Sequence, residues 1–279
     1  MLAAFVIVCR EVFEAGLVVG VVLAATRGLK SRGLWIGAGV GAGVLGACIV
    51  AAFAGVIADL FEGAGQETLN AAVLIVAVAM LVWHNAWMAS HGREMAAHLR
   101  DVGREVMDGR RSLMALAVVC GVAVLREGSE VVLFLYGVAA GGGTTALGIV
   151  GGSLLGIAGG ALVSALLYLG LVSIPLRHLF SALGLLITLL AAGLAAQAAR
   201  FLEAGGWLVT GTAPLWDTSS ILSEEGIAGR VAHTLLGYTA RPSANELAAY
   251  LGVVAFMWVA TRLAARSAPP PLQRASRTA

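Results

Sequence analysis

Two copies of a short charged motif stand out in an otherwise apolar sequence. Each reads Arg-Glu-x-x-Glu, and they occupy residues 10–14 and 126–130. On a helix, residues three or four positions apart share a face, so each motif would present two carboxylates and one guanidinium to the same side. Carboxylates bind hard cations such as Mg²⁺, Ca²⁺, Mn²⁺ and ferric iron, and the motifs alone do not choose among them. The predicted metal ligands and their supporting ion-pair partners are Glu11, Glu14, Glu127 and Glu130, with Arg10 and Arg126.

The sequence around these motifs is typical of a helical membrane protein. The chain has 279 residues, of which 59% are hydrophobic and 12% charged, whereas charged residues make up about 25% of soluble domains. Its mean hydropathy is +0.90. A charge at the centre of a membrane helix costs roughly 2.5–3.5 kcal/mol, so charged residues there usually mark a functional site. A closed ion pair between helices is the alternative for one motif, but two copies favour a transport site.

Hydropathy predicts an all-α fold with seven membrane-spanning helices. The spans cover about residues 2–26, 34–58, 69–88, 113–139, 145–171, 178–199 and 246–263. Most of the 18 Lys and Arg residues fall in the loops on one side. By the positive-inside rule, the N-terminus then lies outside and the C-terminus in the cytoplasm. Residues 89–112 are expected to extend the third helix into the cytoplasm or to lie on the membrane surface.

The motifs belong to an internal repeat. Arg126 lies 116 positions after Arg10, and in each half a motif span is followed by a glycine-rich span and a third span. Three spans per unit predict a 3+3 inverted repeat (about 1–88 and 113–199), a plan in which transporters bind substrate near the midplane. Glycines four positions apart should let helices approach closely, at Gly37/Gly41, Gly39/Gly43 and Gly148/Gly152/Gly156/Gly160.

The remaining segments complete a single membrane domain over residues 1–266. An outer loop (200–245) precedes the last helix, and a disordered cytoplasmic tail is predicted for 267–279. Acidic residues of the outer loop (Asp217, Glu224 and Glu225) are candidates for guiding ions into the site, although solvated loop acids are the alternative. A short surface helix is expected from the apolar residues Leu222, Ile227, Val231 and Leu235. We interpret His84 as a polar residue near a span end that faces a neighbouring helix.

The doubled motif resembles that of the oxidase-dependent iron permease family, which carries Arg-Glu-x-x-Glu in its first and fourth membrane helices. Residues 213–219, 237–238 and 241–243 are similar to the family's pattern ahead of its last helix. The resemblance implies a seven-helix fold in the inner (plasma) membrane and iron (Fe³⁺ or Fe²⁺) as transported substrate. It also implies that the motif glutamates bind iron and that an extracytoplasmic oxidase or iron-binding protein is a partner.

The expected function is therefore a high-affinity iron permease that moves iron into the cytoplasm, with no enzymatic activity, no permanently bound cofactor and no nucleic-acid partner. Two alternatives remain. One is a proton-coupled exchanger for another divalent metal. The other is an intramembrane metal-dependent enzyme, which would need a nucleophile or cofactor-binding group near the motifs. The sequence shows no Ser/His pair, no haem-type His pair on facing helices and no nucleotide-binding loop there.

Overall fold

The chain folds into a helical bundle. The computed structural model describes residues 1–59, 66–140, 144–170 and 176–267. In these residues eight helices follow one another: α1 (Leu2–Ala25), α2 (Arg32–Asp59), α3 (Gln66–Met107), α4 (Met114–Ala140), α5 (Ala146–Tyr168), α6 (Leu176–Ala204), α7 (Ile227–Leu236) and α8 (Ala244–Ser267). Each predicted span coincides with a helix. Helix α7 contains Ile227, Val231 and Leu235 of the expected surface helix, whereas Leu222 lies before its start. The predicted disordered tail covers residues 267–279. Ser267 is the last residue of α8, and the rest of the tail lies outside the described residues.

Five helices in the described part of the chain are long and apolar enough to cross a membrane, and they are α2, α3, α5, α6 and α8. Helices α1 and α4 contain 24 and 27 residues. At 1.5 Å per residue each exceeds the roughly 30 Å hydrocarbon core, but each also carries the three charges of its motif. Many large apolar side chains face outward, for example Leu147, Ile49 and Phe53. The fold is therefore that of an all-helical, polytopic membrane protein.

Helix α3 continues well beyond the predicted third span. It has 42 residues, so residues 89–107 continue the helix of the third span without a break. A continuous extension was one of the two arrangements predicted for this segment. Leu99 and Val106 on this extension are buried and pack in one cluster with Val22 of α1 and Leu116 of α4. The extension is therefore anchored on the ends of the two motif helices.

Glycines on α2 and α5 bring each of these helices against the motif helix of the other half. On α5, Gly152 lies against the backbone of Met1, and on α2, Gly39 lies against the backbone of Ala117. Ala117 follows Met1 by 116 positions, which is the offset between the two motifs. Since a Cβ at either glycine would overlap main-chain atoms, both contacts require glycine. The two halves therefore share an equivalent glycine contact.

One of the predicted glycine stripes is wrong. A Cβ placed on Gly37 or Gly41 would meet nothing within 4 Å, so this pair does not mediate helix contact among the described residues. Both residues lie on a different face of α2 from Gly39 and Gly43. A spacing of four identifies a shared face but does not say which of several glycine faces meets a neighbour.

The outer loop is folded against itself and against the last helix. Leu215 N donates to Pro242 O at 2.9 Å, and Thr218 N donates to Ala240 O at 2.9 Å, so the loop segments singled out in the sequence pair with each other. The guanidinium of Arg200, near the end of α6, donates to both carboxylate oxygens of Glu246 on α8 at 3.0 and 3.1 Å. These contacts hold the start of α8 against α6.

Candidate metal centre

The two motifs meet in the interior of the bundle because α1 packs against α4. Four side chains from three helices converge there: Glu11 from α1, His84 from α3, and Glu127 and Glu130 from α4. Each offers one donor atom, and these atoms all lie within 4.8 Å of one another. Groups of this kind at this separation can ligate a single cation.

In the first motif, Arg10 holds both glutamates. Its Nη1 donates to Glu11 Oε1 at 2.6 Å, and its Nη2 lies 2.8 Å from Glu14 Oε1. All three side chains are at most 5% exposed. Glu11 Oε2 is buried and has no hydrogen-bond partner among the described residues. The arginine therefore fixes the orientation of the first carboxylate and leaves its second oxygen available to a ligand.

The second motif is less enclosed. Arg126 Nε donates to Glu130 Oε1 at 3.2 Å but lies 4.0 Å from Glu127 Oε1. The Arg126 guanidinium lies over the ring of Trp87, 4.5 Å from its centroid, and the side chain is 33% exposed, against 4% for Arg10. Glu127 Oε2, like Glu11 Oε2, is buried and lacks a hydrogen-bond partner in the described parts of the chain.

His84 connects the motifs and was missed as a site residue by sequence reasoning. Its Nε2 lies 3.2 Å from Glu14 Oε2, and its Nδ1 contacts Glu130 Oε2 directly. The side chain is only 3% exposed, and the apolar part of α3 ends at Trp87, so His84 lies near a span end and faces neighbouring helices. One sequence signal pointed to it, because an ionisable residue inside an apolar span is by default a functional candidate.

The electrostatics of the cluster favour a multivalent cation. If the glutamates are ionised and His84 is neutral, the four carboxylates and two guanidiniums leave a formal charge of −2. At 4.8 Å two unit charges interact by about 3.5 kcal/mol at an effective dielectric constant near 20. Two buried carboxylate oxygens without hydrogen bonds add a further desolvation cost. A bound cation removes both penalties at once.

The structure separates the four motif glutamates into two groups. Glu11, Glu127 and Glu130 converge on the cluster, whereas Glu14 has its two oxygens engaged by Arg10 and His84. Arg10 and Arg126 pair with the glutamates of their own motifs, and their supporting role at an ion site stays a prediction.

Two of the three acidic residues of the outer loop are tied into the loop itself. Asp217 Oδ1 accepts from the Ser219 hydroxyl, and Asp217 Oδ2 lies 2.7 Å from Arg241 Nη2. These interactions with Ser219 and Arg241 hold the pKa of Asp217 well below its usual range. Glu224 Oε1 accepts from Ala240 N at 2.6 Å, and Glu225 is exposed. A role for these acids in guiding ions stays a prediction.

Comparison with known proteins identifies the family of this chain. Residues 1–267 match the family model described as "Iron permease FTR1 family". The "Ferrous iron permease EfeU" of Yersinia pestis is 30% identical over 256 residues, which cover 90% of this chain and 89% of that protein. The protein of the same name from Shigella sonnei is 32% identical over 276 residues, covering 97% and 96%. No solved structure matches the chain. The chain belongs to the iron permease FTR1 family.

Proposed function

We propose that this protein is a high-affinity iron permease that carries iron into the cytoplasm through a site formed by the glutamates of both motifs. As a multi-pass membrane protein it would act, in a bacterial cell, in the inner membrane. The site residues are the four motif glutamates with their two arginines: Glu11, Glu14, Glu127 and Glu130, with Arg10 and Arg126.

One observation carries the proposal. Glu11 Oε2 and Glu127 Oε2 come from different motif helices, reach the same buried cluster, and have no hydrogen-bond partner in the described residues. A closed structural ion pair would engage both oxygens of each carboxylate, because an unpaired buried polar atom costs about 1–3 kcal/mol. A site that exists to bind a cation explains why the two atoms are left without partners.

The same proposal includes the membrane layout. Helices α1 and α4 would supply the two further spans, since pairing within each motif and across to His84 lowers the cost of the buried charges. The N-terminus would lie outside and the two halves would form an inverted repeat followed by α8. This layout is supported by the equivalent glycine contacts of Gly39 and Gly152. Alternating exposure of a site at the repeat interface then moves the ion across the membrane.

Iron is the favoured substrate because both relatives described above are named ferrous iron permeases. An exchanger for another divalent metal, coupled to protons, would use the same carboxylates and is the second candidate. An enzyme is disfavoured because the chain belongs to a family of permeases. An extracytoplasmic oxidase or iron-binding partner, and ion guidance by Asp217, Glu224 and Glu225, complete the proposal.

Uptake of radioactive iron into proteoliposomes tests this function. We expect the purified protein to accumulate iron inside the vesicles, measured separately for ferrous and ferric iron, with and without a pH gradient. Excess Ca²⁺ and Mg²⁺ should not prevent the uptake. Accumulation of another divalent ion in preference to iron, driven by the pH gradient, would support the exchanger instead. Vesicles that accumulate no metal would contradict both.

A further inference from the structure

We propose that His84 is itself an iron ligand, and that Glu14 orients this histidine and does not bind the ion. The inference rests on the proposed function and assigns separate roles within the same site. The ion would be held by Glu11, Glu127, Glu130 and His84, which are the four groups whose donor atoms lie within 4.8 Å of one another.

Glu14 is assigned an orienting role because both of its carboxylate oxygens already have partners. Its Oε1 lies 2.8 Å from Arg10 Nη2, and its Oε2 lies 3.2 Å from His84 Nε2. Both oxygens are therefore already engaged by side chains that the helices fix in place. By contrast, Glu11 and Glu127 each keep one buried oxygen without a partner. The four motif glutamates, equivalent in sequence, are not equivalent in structure.

Both ring nitrogens of His84 face carboxylates. Nε2 lies 3.2 Å from Glu14 Oε2, and Nδ1 contacts Glu130 Oε2 at the cluster. To bind an ion, Nδ1 must give up any proton that it shares with Glu130, whereas Nε2 keeps the hydrogen that Glu14 receives. Metal-bound histidines almost always donate their other ring N–H to a carboxylate or carbonyl in this way. When an ion binds, the contact of Nδ1 with Glu130 is replaced by a bond from each group to the ion.

A nitrogen ligand would give the site a preference that carboxylates alone lack. Sites built only of oxygen suit Mg²⁺, Ca²⁺ and Mn²⁺, whereas imidazole suits iron and the later transition metals. Carboxylates combined with histidine on facing helices also form the iron sites of the ferritin-like bundles. His84 would therefore make the site discriminate against Ca²⁺ and Mg²⁺, which are abundant competitors with the same charge.

Pulsed EPR of Mn²⁺ bound to the purified full-length protein tests the ligand. Wild-type protein should show a nitrogen coupled to Mn²⁺, and labelling the histidines with ¹⁵N should change that signal. The coupling should disappear in His84→Asn and persist in the control His98→Asn, whose side chain is exposed on the α3 extension. Bound Mn²⁺ without any coupled nitrogen in the wild type would overturn the inference, whether or not His84→Asn folds. Absence of any bound Mn²⁺ or Fe²⁺ would instead contradict the proposed function.

Two affinity measurements separate the roles of the residues. Glu14→Gln keeps an oxygen that accepts from Nε2, so we expect it to keep the nitrogen coupling and to lose no more than about 10–100-fold in Mn²⁺ affinity. In His84→Asn, Ca²⁺ should compete with Mn²⁺ at least tenfold better than in the wild type. If Glu14→Gln weakens binding as much as Glu127→Gln and abolishes the coupling, or if Ca²⁺ competition is unchanged in His84→Asn, the assignment is wrong.

Discussion

Replacing Glu127 by glutamine is the most informative perturbation of the proposed site. The substitution preserves shape and removes one charge from a carboxylate whose nearest guanidinium atom, Arg126 Nε, is 4.0 Å away. Glu127 Oε2 has no hydrogen-bond partner in the described residues, so few structural contacts are lost. We therefore expect the variant to fold and insert normally while its metal affinity falls.

The size of the effect follows from the separation of the donor atoms. The donor atoms lie within 4.8 Å of one another, so each pair of like unit charges there repels by at least about 3.5 kcal/mol at an effective dielectric constant near 20. Removing one charge relieves this repulsion in the empty site, so the thermal midpoint without iron should be equal to or higher than that of the wild type. A bound divalent ion carries twice the charge of a carboxylate, so the attraction that it loses is larger than the repulsion that is relieved. Since about 1.4 kcal/mol is tenfold in an equilibrium constant, iron affinity should fall at least about 100-fold.

Three measurements on matched preparations test this prediction. Thermal unfolding without iron reports the fold, thermal unfolding with increasing iron reports binding, and radioactive uptake into proteoliposomes reports transport. Glu94→Gln, at an exposed position on the α3 extension, serves as the control and should behave like the wild type in all three. If Glu127→Gln transports iron at the wild-type rate, the carboxylate is not part of the pathway and the reasoning is refuted.

Three further predictions address the arginine, the helix packing and the outer loop. Arg126→Lys should lower iron uptake at least tenfold, because lysine cannot reproduce the planar contact with Glu130 and the Trp87 ring; full activity would show that only the charge matters. Gly156→Val should destabilise the protein by about 1–3 kcal/mol in thermal unfolding, because its Cβ would overlap α1, whereas Gly41→Val should not. Asp217 has a lowered pKa, so its contribution to loop stability is present above the unfolded value near 3.9 and is lost on acidification below it. Limited proteolysis at pH 7 should therefore cleave the loop faster in Asp217→Asn than in the wild type, and equal rates would contradict the ion pair.

The sequence predicted the helices well because membrane spans depend on local composition. A run of about 20 apolar residues must be helical to satisfy its backbone in lipid, so each of the seven predicted spans coincides with a helix. The meeting of the two motifs was also predictable, because charges that cannot face lipid must face each other. The fold of the outer loop was harder to predict from the sequence, because contacts such as that of Leu215 with Pro242 join residues distant in sequence.

The roles of individual side chains depended on tertiary packing and could not be derived from the motif. Sequence reasoning treated Glu11 and Glu14 as equivalent, but Arg10 and His84 engage both oxygens of Glu14 alone. His84 stands outside the repeated motif, so the search for equivalent residues in two halves passed over it. Gly37 and Gly39 are two positions apart, and only packing shows that Gly39 meets α4.

The position of bound iron tests the central claim most directly. Cryo-electron microscopy of the iron-loaded protein in lipid nanodiscs, compared with the same protein treated with a chelator, would locate the ion. We predict one iron-dependent peak enclosed by Glu11, His84, Glu127 and Glu130, within bonding distance of carboxylate oxygens from both α1 and α4. Iron bound only elsewhere, for example at the acids of the outer loop, with the cluster unchanged between the two maps, would contradict the account.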